Sequence, residues 1–381
     1  MKKKLKYYLV AFLCCMSSLI NAQKKSLEID DILKMKSVQE VQISPDGKWV
    51  AYTVSEMDLK KDKSLTRVYM IPITGGEGIP ITGKDYSASQ PRWSPDNKYL
   101  SFLASKGEDE KTQVWTSNRM GGDAEVLTKI PQGVSGHEWS PVGNKLLLVL
   151  TDPKPEELTK DKEDDKKAKP FVIDRRQFKQ DYVGYLDRYR KHIYTLVPGD
   201  SLPNQLTSGD FDDSDPVWSP DGNHIAFVSN RTEDPDGNSD SNIWVVDATK
   251  KDTDQKLIQV TTNPNQDDSP AWSPDGKSVL VSANVQRKWE YSPNDTEVHE
   301  IELATGDLKT LTSRIGPDEV VGYAPNGKKI AYTGFDDKYL GFHASQIYVM
   351  DRNGKNAKSL TPNLDRSISD VKWSSDGRGL Y

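Results

Sequence analysis

Cysteine is almost missing from these 381 residues: the only two, Cys14 and Cys15, sit side by side near the start. Beyond residue 15 there is no disulfide framework and no thiol to act as nucleophile or metal ligand. Histidine is nearly as sparse. The five residues His137, His192, His224, His299 and His343 show no H-E-x-x-H or comparable spacing, which excludes the common zinc sites. No glycine-rich phosphate loop follows a strand-like run. A G-x-S-x-G nucleophile elbow is also lacking, since Gly133-Val-Ser-Gly136 has His137 where the last glycine belongs. Neither metal nor cofactor is therefore expected, and no catalytic residue is assigned in this chain.

Long apolar runs are absent except at the beginning. Lys2, Lys3, Lys4 and Lys6 precede a largely apolar stretch from Tyr7 to Ile20, and Asn21-Ala22-Gln23 then offers a small residue. The stretch is too short to span a bilayer and reads as a secretory signal peptide, 1–22, cleaved after Ala22. Its removal takes both cysteines and four of the 51 basic residues, leaving 47 against 57 acidic ones, a net charge of −10. Such a surface is a poor nucleic-acid partner. The expected mature protein is exported, periplasmic or secreted, with no stable membrane insertion.

What the sequence does have is a repeated turn. Ser44-Pro45-Asp46-Gly47, Ser219-Pro220-Asp221-Gly222 and Ser273-Pro274-Asp275-Gly276 are the full copies, and variants stand at Ser94, Ser140, Ala324 and Ser374. Successive copies are 50, 46, 79, 54, 51 and 50 residues apart, one period with a single insertion. Proline pre-sets the second backbone angle of a type I turn, serine and aspartate bond nearby amides, and glycine takes the left-handed position that follows. Single aspartates some fifty residues apart are too sparse for a calcium cage, so these residues are structural.

Each turn leads into a short β-prone run, such as Ile225-Ala-Phe-Val228, then a second, such as Ile243-Trp-Val-Val246, then a segment ending in threonine. Those threonines are Thr82, Thr128, Thr207, Thr261, Thr312 and Thr361. A period of about four strands is a propeller blade, because one small sheet cannot bury both faces alone. The expected fold is all-β, a propeller of about seven four-stranded blades over 41–381. The last blade is incomplete, with about forty residues lacking by analogy with the other repeats. A fragment of a longer polypeptide is expected, and whether an eighth blade follows is left open, as is the oligomeric state.

The long interval carries a charged run, Pro153 to Lys169, and then an aromatic and arginine-rich stretch from Phe171 to Arg190, an insertion at about 151–191. Its Arg175, Arg176, Tyr182, Tyr185 and Arg188 read either as a recognition surface or as ordinary side chains of a packed β-excursion.

The opening Leu27-Glu-Ile-Asp-Asp-Ile-Leu-Lys-Met-Lys36, running into Val41-Gln-Ile-Ser-Pro-Asp-Gly-Lys-Trp-Val-Ala-Tyr52, resembles the N-terminal half of bacterial prolyl oligopeptidase family serine peptidases. Val172-Ile-Asp-Arg175 through Gly184-Tyr-Leu-Asp-Arg188 resembles a stretch of the acylaminoacyl peptidase and dipeptidyl peptidase branch. The resemblance implies that the propeller caps a C-terminal α/β-hydrolase domain, outside this chain, whose Ser, Asp and His cleave short peptides from the N-terminal end. It also implies that segment 23–40, with Ile29, Ile32 and Leu33 on one helical face, packs at the boundary with that domain. On this reading Arg175, Arg176, Tyr182, Tyr185 and Arg188 approach the substrate cavity, where an arginine can pair with a peptide carboxylate. The alternative is a non-catalytic TolB-like periplasmic propeller that binds protein partners.

Overall fold

The computed structural model describes residues 26–107, 110–154, 172–181, 183–250, 256–286 and 288–381. The proposed leader, most of the charged run and Tyr182 lie outside the described residues. Two compact units are present, one of Met1–Ser37 with Glu56–Ser64 and one of Val38–Ser55 with Leu65–Tyr381.

In the smaller unit a helix, Ile29–Leu33, is closed by a reciprocal capping box between Glu28 and Asp31. The Lys36 ammonium lies 2.7 Å from Glu56. Leu27, Ile29 and Ile32 are exposed, so the apolar face expected of this helix has no cover within the described residues. No described helix is long and apolar enough to cross a membrane.

The larger unit is built from the repeats. In the second, Ala88–Trp93, Tyr99–Ala104, Gln113–Asn118 and Glu125–Val126 pair in chain order as one antiparallel sheet. Six such four-stranded sheets occur among the described residues, and the seventh repeat contributes a hairpin in which Trp373 bridges Leu380. The insertion separates the second and third strands of the third sheet, Leu146–Thr151 and Lys191–Leu196, and holds a small hairpin of Lys179–Gln180 with Gly184–Tyr185.

The repeated turn works as its composition dictates. Ser273 Oγ donates to Asp275 Oδ1 at 2.6 Å and accepts from the Ser278 amide at 2.9 Å, while Lys277 N–H donates to the same carboxylate at 3.2 Å. Asn97, standing where glycine is absent, takes φ +60°. The recurring threonines have an equally definite task. Each hydroxyl of Thr82, Thr128, Thr207, Thr261, Thr312 and Thr361 accepts from a third-strand amide, at 2.9 to 3.1 Å. Outer strands of only two or three residues are thus prolonged by a side chain, which leaves little bare sheet edge.

The core lies between sheets. Val68 and Met70 of the first repeat pack with Leu100 and Phe102 of the second, and Leu147 and Ile193 of the third pack with Ile225 and Phe227 of the fourth. Indole nitrogens stitch neighbours together: Trp93 donates to Gln42 O at 3.2 Å, Trp272 to Val217 O at 3.2 Å and Trp373 to Gly322 O at 3.0 Å. The first and seventh repeats also meet, because a Cβ on Gly47 would fall 2.8 Å from Ser375 Oγ. The repeats of this unit therefore follow one another around a ring.

Trp218 breaks the pattern, since its buried Nε1 has no partner among the described residues. Both Trp272→Phe and Trp218→Phe shrink a packed ring, but only the first removes a hydrogen bond. Trp272→Phe is expected to cost about 1 kcal/mol more than Trp218→Phe in urea unfolding; equal losses would mean that the indole bond contributes nothing.

Candidate functional site

The innermost strand of each repeat ends in the residue before the turn, and these strands surround a cavity of about 870 Å³. Side chains from all seven repeats border it, from Glu40 and Gln42 of the first through Lys372 of the seventh. It is the central channel of the ring.

The inner strands are bulged. Pairing shifts between Ser89 and Arg92, Ser214 and Val217, Asp268 and Ala271, and Val320 and Gly322. Four residues before the turn serine, Glu40, Gln90, Asp215, Ser269 and Asp370 hold φ between +48° and +55°, and for Gln90, Asp215 and Ser269 this falls within the bulge. A side-chain-bearing residue there costs about 1 kcal/mol or more, and a bulge re-aims side chains. Four of the five border the channel, and Asp370 borders an adjoining cavity of about 440 Å³.

Two sides of the channel differ. Over the first three repeats the charged groups and Gln90 pair within the wall, while the buried His137 Nδ1 is left without a partner among the described residues. Glu40 accepts from Gln90 N–H at 2.9 Å, Gln90 Nε2 donates to Ser135 O at 3.2 Å, and Arg92 pairs with Glu138 at 2.5 Å. His137 is buried with Nε2 2.8 Å from Ser101 Oγ, and burial, with Arg92 nearby, pushes its pKa down to about 3, so it is neutral.

Over repeats four to six, carboxylates accumulate. Asp215, Asp268 and Glu319 border the channel on successive repeats. Burial first, then the charges of Glu319 and Asp215, raise the Asp268 carboxyl above its ordinary range. Three further aspartates, Asp213, Asp267 and Asp318, are fully buried at the start of these same inner strands. Arg231 lies 2.6 Å from Asp213, Asn263 Nδ2 donates to both Asp267 oxygens at 2.7 and 2.9 Å, and Arg314 pairs with Asp318. Around the whole channel six carboxylates stand against Arg92, Lys191 and Lys372, a net of −3. Among the described residues no group of His, Cys, Asp or Glu is placed to hold a metal ion.

The insertion lies elsewhere. Arg175, 7% exposed, grips Asp236 through Nε at 3.0 Å and Nη2 at 2.5 Å. Arg176 pairs with Asp234 at 3.0 Å, and Arg188 with Asp174 and Asp210 at 3.0 and 3.1 Å. Arg190, outside the expected set, is buried against Asp210 and Asp212. Tyr185 is exposed, and none of the four described members of the set borders the channel cavity. The three arginines of the set share one feature, an ion pair with a loop carboxylate of the fourth repeat. The channel carboxylates belong to no motif read from the sequence; their one sequence signal is an aspartate six residues before the turn in repeats four to six (Asp213, Asp267, Asp318).

Asp267 gives this wall a pH signature. Burial foremost raises its pKa from 3.8 to about 6, against the lowering effect of Thr261 and Asn263, with Asp240 and Asp268 raising it further. Between those values the folded state binds more protons than the unfolded chain, so this group's contribution to stability falls as pH rises through the interval. Asp267→Asn does not titrate there. Wild type is expected to gain about 2 kcal/mol relative to Asp267→Asn between pH 7.5 and pH 4.5. Parallel pH profiles of the two proteins in denaturant unfolding would contradict this.

No protein-family model matches the chain. Over 225 residues it is 30% identical to a protein of Bacillus subtilis named as the uncharacterized peptidase YuxL, a match covering 58% of this chain and 34% of that one. Over 352 residues it is 23% identical to dipeptidyl-peptidase 5 of Porphyromonas gingivalis, covering 92% of this chain and 45% of that one. The chain thus spans between about a third and a half of the length of these curated relatives. The acylaminoacyl peptidase of Pyrococcus horikoshii shares the fold, with a TM-score of 0.63 at 16% identity over 86% of this chain and 46% of that one. Sequence relatives named as peptidases and a fold shared with a peptidase agree with the resemblance drawn from the opening segment and the insertion: the chain is a β-propeller related to the peptidases of the prolyl oligopeptidase family.

Proposed function

We propose that this propeller is the substrate-admitting part of an exported serine peptidase that releases short pieces from the N-terminal end of peptides. The observation that carries the reading is the channel itself: a bore lined on every repeat, with side chains aimed inward by bulges that cost stability. A bore of this kind passes an extended peptide and excludes a folded protein. The reaction belongs, on this reading, to a serine, histidine and aspartate on an α/β-hydrolase domain outside these 381 residues. There the histidine takes the serine proton during attack on the scissile carbonyl and returns it to the leaving amine.

A surface for such a domain is available. Tyr291, Ile315, Tyr339, Leu340 and Phe342 are each more than half exposed, on three neighbouring loops of the fifth and sixth repeats. The loops are bound together by Asp337 N–H donating to Ile315 O at 2.9 Å and Asp318 N–H donating to Thr296 O at 2.7 Å. Exposed aromatic groups on a braced surface suit a partner domain better than open water. On the insertion, Arg176 and Tyr185 are the more exposed members of the expected set, with Arg176 paired to Asp234, while Arg175 is buried against Asp236.

The native, full-length protein is expected to react with a fluorophosphonate at a serine outside residues 1–381 and to cleave short synthetic peptides, whereas residues 1–381 alone do neither. Ser214 is exposed in the channel, so Ser214→Trp narrows the bore. In the full-length protein it should lower kcat/KM for an octapeptide about tenfold while sparing a small ester, by excluding substrate rather than disturbing chemistry. Equal activity of Ser214→Trp on the octapeptide would show that substrate enters by another route.

A further inference from the structure

We infer that the channel selects peptides carrying positive charge, through Asp215, Asp268 and Glu319 on repeats four to six and a free acceptor nitrogen on His137 of repeat three. The inference rests on the reading of the channel as a peptide entrance and adds the class of substrate it favours.

The charge is placed where a passing chain meets it. Asp215 is exposed in the bore at a left-handed bulge, and Asp268 and Glu319 border the same cavity on the next two repeats. Asp268 stands between the other two along the run of repeats and feels the negative charge of both Glu319 and Asp215. An ammonium or guanidinium group entering between them relieves that repulsion, whereas a glutamate side chain adds to it. Low-dielectric walls strengthen both effects over what water would allow.

His137 supplies an independent sign of a donor-bearing ligand. It is 4% exposed, borders the cavity, and its Nδ1 has no hydrogen-bond partner among the described residues. The tautomer follows from its neighbours. Ser101 Oγ has one proton, which goes to Arg92 O at 3.1 Å, and it accepts from Trp139 Nε1 at 2.8 Å. With the Ser101 proton on Arg92 O, its contact with His137 Nε2 at 2.8 Å is an acceptance from an Nε2–H, and in that tautomer Nδ1 is a bare acceptor. A buried acceptor with no donor is costly unless something else, water or a ligand N–H, comes to it. Arg92, Lys191 and Lys372 also border the cavity, but Arg92 is neutralised by Glu138, and the remaining balance is acidic.

The test is direct binding to the 381-residue protein, which needs no catalysis. A fluorescein-labelled pentapeptide alternating lysine and alanine and its glutamate counterpart are titrated at low salt and followed by anisotropy. The lysine peptide is expected to bind at least about tenfold more tightly, with the difference shrinking as salt is added. The double substitution Asp268→Asn with Glu319→Gln should remove most of that preference, and Asp215→Asn, at an exposed position where asparagine tolerates the left-handed backbone, should remove part of it even if the double variant folds poorly. Equal affinity for the two peptides, or a preference unmoved by Asp215→Asn, overturns the inference. Kinetics of the full-length protein separate this from the reading beneath it. Cleavage that ignores peptide charge overturns the selectivity and leaves the peptidase standing, whereas charge-selective binding by a protein that cleaves no peptide leaves the selectivity and removes the peptidase.

Discussion

Everything in this ring depends on one constraint: a four-stranded sheet has two apolar faces and cannot cover either by itself. Phe102 and Phe227 are fully buried only because the neighbouring repeats bring Val68, Met70, Leu147 and Ile193 against them. Sheet-on-sheet packing supplies the stability, while indole hydrogen bonds such as Trp272 to Val217 O fix how each sheet sits on the one before it. The turn serines and aspartates hold the hairpin ends, and the threonines finish the outer edges. With faces and edges satisfied in this way, the channel-facing positions of the inner strands are released from making core, while Trp93 and Trp218 on the same strands still join it.

That release explains the channel. An inner strand facing water in the middle of a ring can carry Asp, Glu, Gln and Ser, can bulge, and can place residues at positive φ. Such features would be ruinous at the position of Leu280 or Ile330, which are fully buried. Polar and charged groups therefore gather on the one strand of each repeat whose sequence is least like a strand. Repeats one, two, four, five and seven put a left-handed residue at the same place each time, so the strain belongs to the repeat and not to one accident of the chain.

The same physics governs what could be read from the sequence. The second and third strands announce themselves by runs such as Leu146-Leu-Leu-Val149 and Ile243-Trp-Val-Val246, because both faces are buried. The turns announce themselves because only a few residue types satisfy them. The inner strands Asp213-Ser-Asp-Pro-Val-Trp218 and Asp267-Asp-Ser-Pro-Ala-Trp272 do not, since proline and aspartate are depleted from strands in general and these read as loop. The arginines of the insertion drew attention by composition, yet the carboxylates that occupy Arg175 and Arg190 lie 20 to 61 residues away in sequence, and only the fold brings them together. Residue type pointed to charge chemistry in the insertion, and position placed it against the fourth repeat.

The buried aspartates beside the channel strengthen the case that repeats four to six differ for a reason other than stability. The position six residues before the turn is filled by buried Ala88 and Val134 in repeats two and three, so the fold accepts an apolar residue there. Replacing it with Asp213, Asp267 and Asp318 imposes a desolvation cost, met by an arginine on Asp213 and on Asp318, where Oδ2 stays unpartnered among the described residues, and by an asparagine on Asp267. Three buried aspartates at one position of successive repeats are hard to account for by packing. The two arginine pairs are close to neutral, so the negative charge that faces the bore comes from the next residues on, Asp268 and Glu319, which border the channel.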